Sequence, residues 1–114
     1  MKEDDLLRTV VEWCRYRHIL TFHARPARTA QGWRTPVMGD GAGFPDLVMV
    51  GVNGTLYREL KANDARLTPS QKVWMERLAI AGEDCGIWRP RDLGQGTIKA
   101  ALDRISSKDL ENRP

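Results

Sequence analysis

The chain has 114 residues, of which 41% are hydrophobic and 29% charged, so its length and composition are those of one soluble globular domain. This composition excludes a collagen-like or low-complexity chain, and no window of 18 uncharged apolar residues is present to span a membrane. The acidic residues at positions 3–5 leave no room for the apolar segment of a signal peptide. We therefore expect an intracellular protein of the cytoplasm.

The net charge of +3 is mild, but the charge is unevenly distributed. No acidic residue occurs between Trp13 and Gly39, whereas this stretch carries two histidines and five arginines, namely Arg15, Arg17, Arg25, Arg28 and Arg34. Arginines without counter-charges are typical of a phosphate-binding surface, and the alternative is a basic loop that is simply solvated. The two cysteines, Cys14 and Cys85, form no CxxC pair and are expected to be buried thiols.

The first third of the chain predicts a helix, a strand and a long loop. Apolar residues at helical spacing between Glu3 and His18 indicate the helix, which opens with acids and closes with arginines as the helix dipole favours. Residues Ile19 to Ala24 are rich in β-branched and aromatic side chains and predict a strand that ends before Pro26. Residues Ala27 to Phe44 show little periodicity and are expected to form a loop, which at this length is usually functional or disordered.

Two strand-like runs, Asp46–Gly51 and Thr55–Lys61, flank the dipeptide Asn53-Gly54, which is the strongest short-range signal for a β-hairpin. If these two residues form a type I′ turn, Val52 pairs with Thr55. Because side chains alternate along a strand, the residues Asp46, Val48, Val50, Tyr57, Glu59 and Lys61 then share one face of the sheet. In this register Asp46 and Glu59 are diagonal neighbours, with about 7 Å between their backbones.

The remaining sequence predicts two helices around a strand. Thr68, Pro69 and Gln71 form a capping box for a helix that ends at Gly82, with a buried stripe of Trp74, Leu78 and Ala81. A strand over Cys85–Arg89 and a helix over about Thr97–Ile105 follow, and a polar tail covers about 106–114. The order α-β-(loop)-β-β-α-β-α predicts an α/β domain with helices packed on a mixed sheet.

The predicted hairpin gathers groups suited to phosphodiester hydrolysis. Two carboxylates, Asp46 and Glu59, are the ligands that Mg²⁺ or Mn²⁺ prefers, and such a cation neutralises charge on the scissile phosphate. Lys61 lies on the same face, where it can orient a nucleophilic water or stabilise the transition state. The side chain of Leu60 points to the other face, but its carbonyl could still reach the metal.

These residues match the PD-(D/E)xK nuclease signature through Pro45-Asp46 and Glu59-Leu60-Lys61. The runs Gly43–Leu47 and Leu67–Gln71, with Trp74 behind them and Trp88-Arg89-Pro90 further on, resemble the VRR-NUC branch of that superfamily. The resemblance extends from about Glu3 to Ile105 and implies one nuclease domain over residues 1–114, of the stand-alone phage or bacterial type. It also implies a restriction-endonuclease-like core of order α-β-β-β-α-β.

The function that this resemblance implies is Mg²⁺- or Mn²⁺-dependent cleavage of DNA. Branched DNA is the expected substrate, with an activity similar to that of Holliday-junction resolvases, which act as homodimers. A flap, single-strand or nicking nuclease of the same fold is one alternative, and a basic DNA-binding module without chemistry is another. A third hypothesis, an interaction protein, treats Glu59 and Lys61 as a cross-strand surface ion pair.

The resemblance also assigns roles to individual residues. Asp46 and Glu59 match the family's metal ligands, and Lys61 matches its catalytic lysine. The family's glutamine falls on Gln71, whose competing role is the capping box, and we do not expect one side chain to serve both roles. The acidic residue that the family places in its first helix falls on Glu3 by position, with Glu12 as the competitor.

The basic stretch supplies the expected DNA contacts. Arg25, Arg28 and Arg34 are predicted to pair with phosphates, and His23 leaves the first strand in the same direction. A structural role for His23 is the alternative. Trp33 could stack on a base or pack the loop down. The loop over Ala27–Phe44 could also exchange between the subunits of a dimer.

Overall fold

The protein is described by a computed structural model, which covers residues 1–24 and 38–106 and the backbone alone of residues 27–29 and 32–34. The elements in chain order are α1 (Glu3–Tyr16), β1 (Leu20–His23), β2 (Ala27–Thr29), β3 (Gly32–Arg34), β4 (Leu47–Gly51), β5 (Gly54–Leu60), α2 (Pro69–Ile80), β6 (Asp84–Trp88), α3 (Pro90–Gly94) and α4 (Thr97–Ile105). The predicted α/β class is confirmed.

A four-stranded mixed sheet forms the centre of the fold, in the order β1-β4-β5-β6. β4 pairs antiparallel with both β1 and β5, whereas β6 pairs with β5 in parallel, because α2 carries the chain back between them. A parallel connection needs such a crossover. The predicted loop over Ala27–Phe44 was wrong in one respect, since β2 and β3 pair there as a short antiparallel ribbon.

The core lies between one face of this sheet and the two helices α1 and α4. Alternation along the strands sends one set of side chains from β4, β5 and β6 to this face, and the helices contribute residues at helical spacing. The fully buried members include Leu6, Val10, Cys14, Leu47, Met49, Leu56, Leu60, Ile98, Leu102 and Ile105. Leu60 thus points away from Glu59, as expected.

The hairpin register differs from the prediction by two residues. Gly51 pairs with Gly54 and leaves Val52-Asn53 as the turn, and neither Val52 nor Asn53 has a positive φ. The predicted type I′ turn at Asn53-Gly54 is therefore wrong. The reason is tertiary, because the amide of Asn53 donates to the carbonyl of Ile105 (3.1 Å) and its side chain donates to that of Ser106 (2.8 Å).

Gly51 explains why the end of α4 can approach the hairpin so closely. A Cβ at this position would lie 2.0 Å from the carbonyl oxygen of Ile105, so only glycine fits. A shift of two residues preserves the alternation of side chains, and the predicted face therefore survives. Its consequence for the site is large, because Asp46 now lies directly opposite Glu59 in the extended register rather than diagonal to it.

Three further expectations need correction. The stripe predicted for α2 is not buried, since Trp74 and Leu78 are half-buried and Ala81 is exposed. The strand predicted over Cys85–Arg89 spans Asp84–Trp88, and α3 was not predicted. Among the described helices, none has the length and apolar character needed to cross a membrane.

Candidate active site

The centre of the site is Glu59, whose carboxylate is buried with only 2% of the residue exposed. Three groups approach it from different parts of the chain. The side-chain Nε2 of Gln71 donates to Oε2 at 2.8 Å, the backbone amide of Asp46 donates to Oε1 at 3.3 Å, and Lys61 Nζ lies 3.5 Å from Oε2. A buried ionisable group held in this way is not a surface ion pair, which removes the basis of the interaction-protein hypothesis.

Asp46 is held in place through both its side chain and its backbone. Its carboxylate accepts a hydrogen bond from the amide of Leu60 at 2.9 Å, which anchors it across the hairpin. Its backbone carbonyl accepts from Nδ1 of His23 at 2.8 Å. A carbonyl oxygen cannot donate, so the ring carries hydrogen on Nδ1. His23 therefore positions Asp46, which is a structural role, and its predicted contact with DNA stays a prediction.

Contact between the two carboxylates changes the chemistry of Glu59. Burial, and after it the adjacent charge and side-chain contact of Asp46, together raise the pKa of Glu59 to about 7, although the Lys61 ammonium opposes this shift. The single Lys61 ammonium does not balance the two carboxylates, and a divalent cation bound between the oxygens would supply the missing positive charge. The donor set thus fits Mg²⁺ or Mn²⁺, both of which take oxygen ligands and keep several waters.

Gln71 makes the contacts of the capping box and also reaches Glu59, while its role in catalysis stays a prediction. Its Oε1 accepts from the amide of Thr68 at 2.9 Å and its backbone amide donates to the Thr68 hydroxyl at 3.2 Å, which completes the predicted capping box. Its Nε2 remains free to donate to Glu59. The expectation that one side chain could not do both was wrong, because the amide has an acceptor and a donor on separate atoms.

Glu3 and Glu12, the two candidates for a further acidic ligand, are separated by the structure. Partial desolvation raises the pKa of Glu3, and the charge of Asp46 adds to this, while Lys61 and His23 oppose it, so Glu3 lies at the edge of the site. Glu12 lies further along α1. Within residues 1–24 and 38–106, however, no three acidic, histidine or cysteine side chains are arranged around one metal position. Glu3 as a third ligand therefore stays a prediction.

The loop that precedes Asp46 is fixed to the start of α2. Trp74 Nε1 donates to the carbonyls of Asp40 (2.8 Å) and Ala42 (3.1 Å), and its ring meets that of Phe44 edge-on at 4.9 Å. Gly43 has a φ of +85°, and a Cβ there would lie 2.4 Å from the backbone of Ser70. The loop therefore sets the distance between the strand that carries Asp46 and the helix that carries Gln71.

Arg89 holds the loop on the other side of the site and was not assigned a role from sequence. Its Nη1 donates to the carbonyls of Ala62 (2.6 Å) and Ala65 (2.7 Å), directly after Lys61. The sequence offered only its place in the Trp88-Arg89-Pro90 run. Without the fold, nothing in that run indicates that the guanidinium reaches back to a loop more than 20 residues earlier.

The structure describes only part of the basic stretch that is predicted to contact DNA. Arg25 and the side chains of Arg28, Trp33 and Arg34 lie outside the described residues. Arg17 belongs to the same basic stretch. It forms an ion pair with Asp103 at 2.8 Å, so the prediction that this arginine lacks a counter-charge was wrong.

Cys14 is buried as expected, which raises the pKa of its thiol to about 11. The half-buried thiol of Cys85 donates to the carbonyl of Met75.

Comparison with known proteins supports the fold described above. No family model and no curated protein matches the sequence. A solved structure described as "VRR_NUC domain protein" is similar to this chain, with a TM-score of 0.55, 21% sequence identity, and coverage of 92% of this chain and 88% of the other. At this identity the similarity establishes the fold. The resemblance drawn from the motifs is thus confirmed at the level of architecture, and the chain has the restriction-endonuclease-like fold of a VRR_NUC domain protein.

Proposed function

We propose that this protein is a Mg²⁺- or Mn²⁺-dependent endonuclease that hydrolyses phosphodiester bonds of DNA. The observation that carries the proposal is the buried Glu59 carboxylate, in contact with Asp46 and bonded to Gln71, with Lys61 beside it. A purely structural role does not account for this arrangement, since pairing two carboxylates beneath a surface costs stability. The nuclease fold of a similar solved structure is consistent with it.

The residues would divide the work as follows. Asp46 and Glu59 would hold the cation, with the carbonyl of Leu60 as a further oxygen ligand. When bound, the cation neutralises charge on the phosphate and lowers the pKa of a water. Lys61, only 13% exposed at its side chain, would donate to the phosphate or orient the attacking water. Gln71 and His23 keep the two carboxylates in place.

The reaction itself is an in-line displacement at phosphorus. The oxygen of a water forms the new bond to phosphorus while the bond to the 3′ oxygen breaks. The water loses its protons to the site and solvent, and the leaving oxygen takes up one. The products would carry 5′-phosphate and 3′-hydroxyl ends.

The finer substrate proposal is a branched DNA, cut as a Holliday-junction resolvase would cut it. Two opposed strands of a junction require two active sites, which a twofold-symmetric homodimer provides. The proposed setting is the cytoplasm of a bacterium or of a phage-infected cell. Cleavage of flaps or single strands by the same site is the alternative.

The decisive experiment is a gel cleavage assay with a four-way junction, a flap, a linear duplex and a single strand, in Mg²⁺, in Mn²⁺ and in EDTA. We expect metal-dependent cleavage that Asp46→Asn abolishes, while DNA binding measured by anisotropy is retained. Symmetric cuts in the junction would support the resolvase, and cuts in flaps or single strands would support only the nuclease. Full cleavage by the Asp46→Asn protein would overturn the assignment of the site.

A further inference from the structure

A groove beside the active site has no role in the chemistry proposed above. It lies between α1 and β1, has a volume of about 490 Å³, and is open to solvent. We call it the α1–β1 groove; its lining includes Leu7 and Val11 as an apolar floor, Thr21 and His23 from the strand, and Arg8 and Arg15 from the helix. We propose that the α1–β1 groove binds the phosphodiester backbone of the DNA strand next to the scissile bond. The inference rests on the proposed nuclease function and adds the path of the substrate.

The charge of the α1–β1 groove favours an anionic ligand. Arg8 and Arg15 are both exposed, and no carboxylate within residues 1–24 and 38–106 forms an ion pair with either of them. Some other basic side chains of the described chain are paired, as Lys99 is with Asp103 at 2.7 Å. Two arginines left without a partner in one groove suit an anionic ligand, and guanidinium groups match phosphate oxygens in geometry.

The spacing of Arg8 and Arg15 matches the spacing of phosphates along a DNA strand. Residues seven apart on a helix lie on the same side two turns apart, so Arg8 and Arg15 are separated by about 10 Å along α1. Phosphates along one strand of a B-form duplex advance by about 3.4 Å each, so this distance covers about three nucleotides. The exposed hydroxyl of Thr21 faces the same groove and can donate to a phosphate between them.

The α1–β1 groove is continuous with the candidate active site. His23 lines the α1–β1 groove and donates through Nδ1 to the carbonyl of Asp46, so the groove ends at the residue proposed to hold the cation. The start of α1 is also close to the site, because the Glu3 carboxylate interacts electrostatically with Asp46 and Lys61. α1 therefore runs outward from the scissile position, with Arg8 about 8 Å and Arg15 about 18 Å beyond Glu3.

Glu12 gives the proposal an effect of opposite sign. It lies in the groove between the two arginines, where a carboxylate opposes a phosphate. Removing its charge should therefore strengthen DNA binding by about twofold, on the order of a charge pair some 8 Å apart in water. A general effect of protein charge would not distinguish this carboxylate from others on the surface.

The experiment measures binding apart from cleavage. Anisotropy titrations use a labelled 20-nucleotide single strand and the matching duplex, between 50 and 200 mM salt in EDTA, all with the full-length Asp46→Asn protein. Arg8→Gln with Arg15→Gln should weaken binding roughly tenfold or more at 100 mM salt and reduce the salt slope by about 0.9 per lost contact on duplex and about 0.7 on single strand. The control is Lys99→Gln with Arg104→Gln, which changes net charge equally but removes groups already paired with Asp103 and Asp84.

The outcomes separate the groove from the chemistry. Weaker binding for the groove pair alone, with unchanged melting behaviour, supports the proposal. A loss confined to one DNA form shows whether the bound strand is paired or unpaired. An equal loss in the control pair, or no loss in either, overturns it. If the unmodified protein cuts no DNA with either metal but binding still depends on Arg8 and Arg15, the catalytic proposal fails and the groove assignment stands.

Discussion

Replacing Glu59 with glutamine should make the metal-free protein more stable while it removes activity. The change keeps the size of the side chain and removes a buried charge. Burial and the charge of Asp46 raise the pKa of Glu59 from 4.5 to about 7 in the folded protein. Each pH unit corresponds to about 1.4 kcal/mol, so ionising this group costs the native state about 3 kcal/mol at pH 8. Because Glu59 is only 2% exposed, solvent screening reduces this figure little.

The new amide cannot keep every contact of the carboxylate. Nε2 of Gln71 and the backbone amide of Asp46 both donate to Glu59, so one of them would face the new NH₂ group. Loss of one such contact costs about 1 kcal/mol. The expected net gain is therefore about 2 kcal/mol in the free energy of unfolding at pH 8.

The sign of the pH dependence follows from the raised pKa. The native state holds a proton on Glu59 between pH 4.5 and about 7 that the unfolded chain has lost, so stability from this group is fully present below pH 4.5 and is lost as the pH rises through 7. Urea unfolding in EDTA at pH 5 and pH 8 should show the two proteins close together at pH 5 and separated at pH 8. Glu76→Gln, which removes an exposed carboxylate from α2, controls for net charge.

Adding Mg²⁺ or Mn²⁺ should reverse the order. A cation that binds only the native state stabilises it by about 2.7 kcal/mol at a hundred times its Kd, and the Glu59→Gln protein should gain less. Cleavage by this variant should be lost. If Glu59→Gln lowers stability at pH 8 in EDTA, or if the unmodified protein gains stability between pH 5 and pH 7 where the control does not, the description of a repelling buried pair is wrong.

The other predictions concern groups that position the site. Gln71→Glu keeps the oxygen that accepts from Thr68 but places a carboxylate where the Nε2 donor contacts Glu59, so cleavage should fall at least tenfold in a gel assay at pH 8. Thr68→Ala removes the cap without touching the site and should cost about 1 kcal/mol in urea unfolding with cleavage retained. Gly43→Ala requires a Cβ 2.4 Å from the backbone of α2 at a positive φ, and the melting temperature should fall by an amount equivalent to about 2 kcal/mol or more, with an unchanged value refuting the close approach.

The sequence was sufficient to predict which residues share the face of the site, but not the register in which β4 pairs with β5. Alternation in β4 and β5 required Asp46, Glu59 and Lys61 to lie together, and a shift of two residues cannot change that. The local turn signal at Asn53-Gly54 was overridden, because α4 ends against the hairpin and its last carbonyls accept from the backbone amide and the side-chain Nδ2 of Asn53. A long-range contact of this kind leaves no trace in a short window of sequence.

The surroundings of the site were less predictable than its reactive groups. The capping box at Thr68 and Gln71 could be predicted from spacing because a cap is a local structure. The bond from Gln71 to Glu59 could not, since it depends on how the crossover helix returns to the sheet. The cap at Thr68 and the contact with Glu59 were treated as alternatives for Gln71 because the sequence does not show which atom of the amide contacts which partner.

Because Gln71 contacts both Thr68 and Glu59, the first turn of α2 is linked to the charge of the site. The first turn of the helix is closed by the same side chain that donates to Glu59, and the loop between them is held by Arg89 through the carbonyls of Ala62 and Ala65. A change in the charge on Glu59 therefore acts on a hydrogen bond that also bears on the helix start. The carboxylate pair is thus held by groups of the fold that need no contact with DNA, so its geometry is in place before any substrate is bound.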